Sequence, residues 1–423
     1  MNLSQDQQDA LIEIKQFLQG TTQEQILTGG PGMGKSFLTK MVIEEASIAG
    51  YQIVLAATTH PAAGVLADFT EQEVITVHKL LDLVVKEDYV TGTTSIFQQV
   101  TAKGPTLERL VWPQRPVLIL MDEASYIDEE LHSYITEMLQ DYPKVTILYV
   151  GDKDQLPPVG SDEPHIFHNN LPVAELTTDH RFKANSQMAD IVKQLKSNIR
   201  DKSYFLVPIT SGNEITVLDY DEYVDQIDVL YKDPIYQDDP YFVKSVAYRN
   251  TVVDNTNAHI RNFFFSQKEY QEGERLLVNK PLFRKNKQLA KNGDIVTVIN
   301  NKLSDINGVQ GQLITFDNDG SKFEAMVTTD YRKKSIERKK IIKTQNWKQL
   351  YNFMESFIEV KDMYASTIHK AQGASYKNVM LNLEDLVECR DHRLLARLLL
   401  VAVSRASEHV YVYGEVPENL MRR

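Results

Sequence analysis

The sequence predicts an α/β protein of two or more domains, with parallel sheets and two small β-rich insertions. Three observations predict it. The chain has 423 residues, too many for one ordinary core. Short apolar runs alternate with longer stretches of helical period, as buried parallel strands and their crossover helices do. One of those runs feeds a glycine-rich loop that opens a helix.

The apolar runs predict strands at Gln25–Thr28, Ile53–Ala57, Val117–Met121, Val145–Val150, Val243–Ala247, Val379–Leu383 and Val410–Tyr413. Two stretches break the rhythm. About 79–115 holds Thr91-Gly92-Thr93-Thr94-Ser95-Ile96-Phe97 and a Lys103-Gly104-Pro105 turn signal, and reads as an insertion with a β-hairpin. About 266–360 holds the strand-like pieces Asp294–Asn300 and Gln312–Phe316 with Asn292-Gly293 and Asp319-Gly320 turns, and reads as a small inserted β-barrel.

The loop after the first strand is Gly29-Gly30-Pro31-Gly32-Met33-Gly34-Lys35-Ser36, the full P-loop pattern in its required strand–loop–helix setting. Gly30, Gly32 and Gly34 let backbone N–H groups converge on phosphate oxygens, and the helix N-terminus adds a favourable dipole. Lys35 is placed for the β- and γ-phosphates and Ser36 for Mg²⁺. ATP and Mg²⁺ are therefore the expected cofactors. The run Val117–Met121 delivers Asp122 and Glu123 at its end. Asp122 suits the Mg²⁺ shell and Glu123 suits the attacking water. After the next strand comes Gly151-Asp152-Lys153-Asp154-Gln155-Leu156-Pro157-Pro158. There Gln155 reads equally as a γ-phosphate sensor or as part of a proline-rich turn.

Composition excludes several classes. The N-terminus has no signal-peptide pattern and no apolar run is long enough for a bilayer, so the expected location is cytoplasmic. The single cysteine, Cys389, excludes an internal disulfide framework and a cysteine zinc site, and it falls in a charged stretch read as helical. The formal net charge is -12, which adds nothing to a case for nucleic acid. Its distribution is uneven: Lys280 to Lys343 carries 14 Lys+Arg against 7 Asp+Glu. Within it, Arg332-Lys333-Lys334 and Arg338-Lys339-Lys340 read mainly as a solvated face.

The ordered set of motifs resembles superfamily 1 helicases, from Leu3 to Ala406. Leu3-Ser4-x-x-Gln7-x-x-Ala10 resembles the Q motif, which implies that Gln7 reads adenine. Thr58-Thr59-His60-Pro61-Ala62-Ala63 and Thr76-Val77-His78-Lys79 resemble single-strand contact motifs, which implicates Thr59, His60, Pro61 and His78. Asp179-His180-Arg181-Phe182 and Val401-Ala402-Val403-Ser404-Arg405-Ala406 resemble the motifs whose arginines, here Arg181 and Arg405, reach the γ-phosphate. Thr367-Ile368-His369-Lys370-Ala371-Gln372-Gly373 is similar to motif V, which implicates Thr367 and His369 in DNA contact and Gly373 in nucleotide contact. Length, the form of motif V and the two insertions are most similar to the Dda-like helicases of tailed phages, in the RecD-like branch, superfamily 1B. Three departures stand out: Ser404 replaces a common threonine, motif V runs Gly373-Ala374-Ser375 without the acidic residue of UvrD-like relatives, which removes a side chain for the nucleotide sugar, and Ser125 follows Ala124 where relatives carry Gln or His.

The resemblance implies two RecA-like P-loop NTPase domains in tandem. The first would span 1–175 with a pin hairpin at about 79–115. The second would span 176–423 with an SH3-like barrel at about 266–360. It implies a monomeric, DNA-stimulated ATP hydrolase that moves 5′ to 3′ on single-stranded DNA and opens forked duplex DNA in phage replication or recombination. A single-stranded-DNA-binding protein or replisome component is an implied partner. RNA translocation and small-molecule phosphotransfer remain the alternatives. Phe97 is placed at the pin tip, where an aromatic ring stacks on the last base pair; the other reading is that it fills the insertion's own small core.

Overall fold

A computed structural model of the chain describes residues 3–87, 94–99, 104–111, 114–157, 163–180, 186–284 and 287–421. The chain divides into two compact units. One comprises Met1–Val84, Gln98–Val253 and Ser366–Arg423, and the other Val85–Phe97 and Asp254–Ala365.

The first unit holds two parallel sheets. The N-terminal sheet is built from β1 (Glu24–Thr28), β2 (Gln52–Ala57), β3 (Val74–Thr76), β6 (Val117–Asp122), β7 (Val145–Gly151) and β8 (Val173–Glu175), in the order β3-β2-β6-β7-β1-β8. Neighbouring strands in it are parallel. The central strands are apolar throughout because both faces are covered. Val117, Ile119 and Met121 of β6 enter one core cluster while Leu118 and Leu120 enter another. Strand β7 divides the same way, with Val145, Ile147 and Tyr149 on one side and Leu148 and Val150 on the other. Each such aliphatic side chain contributes roughly 1.5–3 kcal/mol by leaving water.

The second sheet has the order β18-β10-β19-β20-β9, from β9 (Ile215–Leu218), β10 (Val243–Ala247), β18 (Ala365–Thr367), β19 (Tyr376–Asn382) and β20 (Ala406–Tyr413). The helix His392–Ser404 is buried continuously from Leu395 to Ser404 and is the centre of this core. Met188, Ile191, Val192, Leu195 and Ile199 of the helix Gln187–Arg200 join the same core. All seven strands expected from apolar runs are present. The short strands β3, β8, β9 and β18 were not foreseen, because three or four residues are too few to show a period.

The second unit is antiparallel. Strands β11 (Arg275–Val278), β14 (Ile295–Ile306), β15 (Val309–Asn318), β16 (Ser321–Val327) and β17 (Val360–Lys361) pair in the open order β16-β15-β14-β11-β17. They enclose Leu276, Val278, Val296, Val298, Ile314 and Phe316. Asp319-Gly320 makes the expected tight turn, both residues having positive φ (47° and 83°). Asn307-Gly308, an equal signal passed over in the sequence, turns β14 into β15 in the same way. A short hairpin, β12 (Leu282–Arg284) with β13 (Lys287–Ala290), and the helices Tyr331–Lys343 and Trp347–Met354 complete the insertion. The basic clusters 332–334 and 338–340 lie on the first of these helices.

Two expectations need correction. Strands β4 (Leu83–Glu87) and β5 (Thr94–Gln98) form the two-stranded hairpin, and Phe97 is the fourth residue of β5. It therefore lies within a strand; residues 88–93, between the two strands, lie outside the described residues. The β-branched Thr94 and Ile96 favour the extended backbone found there. Cys389 lies in the link between the helices Leu383–Leu386 and His392–Ser404, not in a helix, and is buried. No helix among the described residues is long and apolar enough to cross a membrane.

Candidate nucleotide site

The C-terminal ends of β1, β6 and β7 assemble the site, as parallel sheets place their ligands. After β1 the P-loop turns into the helix Lys35–Ile48 through Gly34, whose φ of 79° is left-handed. A side chain there would be strained, and its Cβ would also stand 2.3 Å from Gln7 Nε2. Gln7 is buried against this turn. Its Oε1 accepts from Ser4 N in a capping box, and its Nε2 donates to Met33 O at 3.5 Å. Lys35 is folded onto its own loop, with Nζ donating to Gly29 O (2.6 Å) and Gly30 O (3.0 Å). Burial lowers its pKa, opposed by the carboxylates of Asp152, Glu123 and Asp122. Ser36 is exposed at the first turn of the helix.

Asp122 ends β6, and its Oδ1 accepts from Glu123 N at 2.9 Å. Burial pushes this carboxyl up, against the Glu123 amide and Lys35. Glu123 has left-handed backbone (φ 52°), an uncommon state for this residue and one that occurs at functional sites. Its carbonyl is held by Thr58 Oγ1 at 3.0 Å. Burial, with Asp122 adding repulsion and Lys35 and Arg405 opposing, pushes its carboxyl to about 7. That value suits a base that must take a proton near neutrality. Ser125 is fully buried, and its Oγ has no hydrogen-bond partner among the described residues.

The second sheet's elements close over the loop that follows β7. Gln155 is buried, and its Oε1 accepts from Gln372 Nε2 at 2.8 Å. Its carbonyl accepts from Arg397 Nη1 at 2.8 Å. Asp154 pairs with Arg200, Nη2 to Oδ2 at 2.9 Å. Arg405 caps the helix His392–Ser404 and is buried, donating to Ala374 O (2.9 Å), Val401 O (3.3 Å) and Ser404 Oγ (3.2 Å). Burial lowers its pKa, and Glu123 is the first charge opposing that. A Cβ built on Gly373 would stand 3.6 Å from Glu123 Oε1. Gln372, Arg397, Asp154 and Lys196 were not singled out from the sequence. Gln372 could have been, because it sits inside motif V. The other three lie on helical or turn positions with no pattern of their own.

The segment before Arg181 is tied to the P-loop. His180 N donates to Gly32 O at 2.9 Å, and Thr177 N and Thr178 N both donate to Asp6 Oδ2 at 2.8 Å. Arg181 itself lies outside the described residues.

The expected DNA contacts sit at strand ends on the same edges. Thr59 caps the helix His60–Thr70 by accepting from Ala62 N at 3.3 Å, and Pro61 occupies its first turn. His60 is exposed. His78 follows β3 in the helix Val77–Leu80 and is half-buried, with burial lowering its pKa. Thr367 ends β18, and half-buried His369 follows it; burial lowers that pKa too. Since β3, β2 and β6 are adjacent and parallel, Thr59, His60 and His78 share an edge with Asp122 and Glu123.

Residues 2–205 match the family model of the AAA domain, and residues 362–413 that of the UvrD-like helicase C-terminal domain. The chain is 25% identical to the ATP-dependent DNA helicase dda of Enterobacteria phage T4, across 97% of this chain and 99% of that one. It is 32% identical to the ATP-dependent RecD2 DNA helicase of Deinococcus radiodurans, across 38% of this chain and 20% of that one. Among solved structures it is similar to Pif1 helicase from Candida albicans, with a TM-score of 0.54 at 16% identity, covering 100% of this chain and 97% of that one. A Pif1 structure described for unwinding at forked double-stranded DNA by two coordinating helicases gives 0.55 at 18% identity, covering 100% and 94%. These likenesses, at low identity, show the fold: two RecA-like domains.

Proposed function

We propose, from the premise that the chain belongs to the superfamily 1B helicases, that this ATP-dependent DNA helicase moves 5′ to 3′ on single-stranded DNA and opens forked duplexes. The observation that carries the reading is the meeting of Lys35, Asp122 and Glu123 with Gln155, Gln372 and Arg405 around one cleft edge. Residues from both sheets contribute, so completing the site and bringing the sheets together are one event.

The glycine cradle and Lys35 would hold the β- and γ-phosphates of ATP. The residues fit Mg²⁺ as well: Ser36 offers an exposed hydroxyl, and the buried Asp122 carboxyl is costly to ionise until a cation stands beside it. When bound, the metal neutralises charge on the phosphate oxygens. Glu123 takes the proton of the attacking water. Arg405, with Arg181, stabilises charge on the transferred phosphoryl group. Thr59, His60, Pro61 and His78 grip the strand from one domain, and Thr367 and His369 from the other. Each closure then shifts one grip against the other. A single-stranded-DNA-binding protein is the expected partner on the strand released.

Strand separation with ATP and Mg²⁺ on duplexes carrying either a 5′ or a 3′ single-stranded tail tests this, with Lys35→Ala as the blank. Unwinding from the 5′ tail alone, lost in Lys35→Ala, is expected. Unwinding from the 3′ tail alone overturns the polarity. ATP turnover indifferent to DNA, with no unwinding, overturns the helicase reading.

A further inference from the structure

One buried cation at the P-loop has no role in this scheme. Lys196 lies on the helix Gln187–Arg200, beside the apolar stripe Met188, Ile191, Val192, Leu195 and Ile199 that anchors the helix in the second core. Only 6% of it is exposed. Its Nζ has no hydrogen-bond partner among the described residues. It points at the P-loop: a Cβ placed on Gly30 would stand 1.7 Å from Nζ and 3.1 Å from Cε. The end of this side chain thus occupies the space beside the Gly30 Cα.

An ammonium removed from water without a hydrogen bond is unfavourable, and the nearby Asp154 carboxylate offsets that only in part. Here the ammonium also shares its surroundings with a second one. Lys35 Nζ is bonded to the carbonyl of the same Gly30, and the charge of Lys196 is one of the influences lowering the Lys35 pKa. Two ammonium groups beside a glycine loop make a receptor for an anion with several oxygens. The phosphate nearest the helix N-terminus is served by Gly34, Lys35 and Ser36. Gly30 lies at the other end of the loop, next to β1, where the last phosphate of the chain would lie.

We propose that Lys196 binds the terminal phosphate of a nucleoside triphosphate and so makes the site prefer triphosphate over diphosphate. The proposal rests on the nucleotide-site reading above. Lys196 comes from a helix fastened to the second core, whereas Lys35 belongs to the first sheet. The terminal phosphate therefore bridges the two domains through two lysines, and its departure removes the bridge. The same helix carries Arg200 to Asp154, two residues after Asp152 in the loop that follows β7, so the change reaches Gln155 through one turn of chain.

Equilibrium binding of a non-hydrolysable ATP analogue and of ADP to wild type, Lys196→Met and Lys196→Arg tests it. Loss of one charge-assisted phosphate contact should weaken the triphosphate roughly tenfold in Lys196→Met, with ADP moving less than about twofold. Lys196→Arg should recover much of the triphosphate preference. The nucleotide-free melting temperature of Lys196→Met should be close to or above that of wild type, because removing a buried charge that has no hydrogen bond outweighs the lost attraction to Asp154. An unchanged triphosphate-to-diphosphate ratio, an equal loss for both nucleotides, or a melting temperature well below wild type overturns the proposal. Binding of neither nucleotide by wild type would instead overturn the nucleotide site itself.

Discussion

The inserted antiparallel unit and the P-loop edge each bury a cation, and they treat it in opposite ways. In the insertion, Arg261 meets Glu274 through two hydrogen bonds, Nε to Oε1 at 2.6 Å and Nη2 to Oε2 at 3.0 Å. Its remaining donors reach Gln267 O and Glu269 O, each at 2.7 Å. Four of the five N–H donors of the guanidinium are used. At the P-loop, Lys196 has no hydrogen-bond partner among the described residues, and Asp152 Oδ2, Ser125 Oγ and Gln372 Oε1 nearby along the same loops are also unpartnered. The Arg261 cation is met by its own chain, although Asp362 Oδ1 beside it has no hydrogen-bond partner among the described residues. A charge kept for a ligand leaves bonding capacity open, and the fold bears the cost between ligands.

The largest expected effect tests the paired side of this comparison. Arg261→Ala leaves Glu274, fully buried, without its counter-charge. Chemical denaturation should register a loss of about 3–5 kcal/mol. Replacing both partners with apolar residues should recover most of it. A loss well under 1 kcal/mol in the single variant would mean that water enters and that the pair is not the closed structure described. The expected contrast with Lys196→Met, which should not destabilise, is the sharpest form of the comparison.

Next in size is Glu123→Gln. Removing a general base costs roughly 10²-fold or more in hydrolysis. Wild-type turnover should rise as pH climbs through about 7, the value to which burial pushes this carboxyl, while the residual activity of the variant stays flat. Stability should move the other way. Between the ordinary 4.5 and about 7 the folded protein retains a proton that the unfolded chain has released, so ionisation destabilises the fold as pH rises through that window. Glu123→Gln should therefore melt above wild type at about pH 8, with a smaller gap near pH 5. A pH-independent difference in melting temperature, with no inflection in hydrolysis, would remove Glu123 from its role.

What could be read in advance follows the same division. The P-loop, Asp122 and Glu123 were legible because phosphate and metal chemistry demands fixed residue types at fixed spacing on one strand–loop–helix unit. The long apolar strands were legible because both faces of β6 and β7 are buried. Lys196, Arg397 and Asp154 act through positions that only the tertiary fold brings together, and a lysine on a helix reads as a solvated one. Phe97 was misplaced because hairpin register depends on the turn, and the sequence offered several candidate turns. Of the two Asn-Gly signals in the insertion, the one joining the longest strands was the one passed over, although it carried the same chemistry.

The smallest effect concerns how the strand-end segment before Arg181 is held. Asp6 accepts from Thr177 N, Thr178 N and Ser4 Oγ. Burial alone would raise its pKa, but these bonds outweigh that and hold the carboxyl well below its ordinary 3.8. A depressed carboxyl contributes stability that is present above the unfolded value and is lost as pH falls through the folded one. Asp6→Ala should therefore cost about 1 kcal/mol near neutrality, with the difference from wild type shrinking only in strong acid. The same variant frees the backbone that leads into His180, whose amide reaches Gly32 O in the P-loop. Nucleotide affinity should fall by about as much as stability does, in contrast to Glu123→Gln, which separates the two. If Asp6→Ala lowered stability with nucleotide affinity unchanged, the N-terminal helix would be a brace for the first sheet alone, and the P-loop would be held by its own glycines and Gln7.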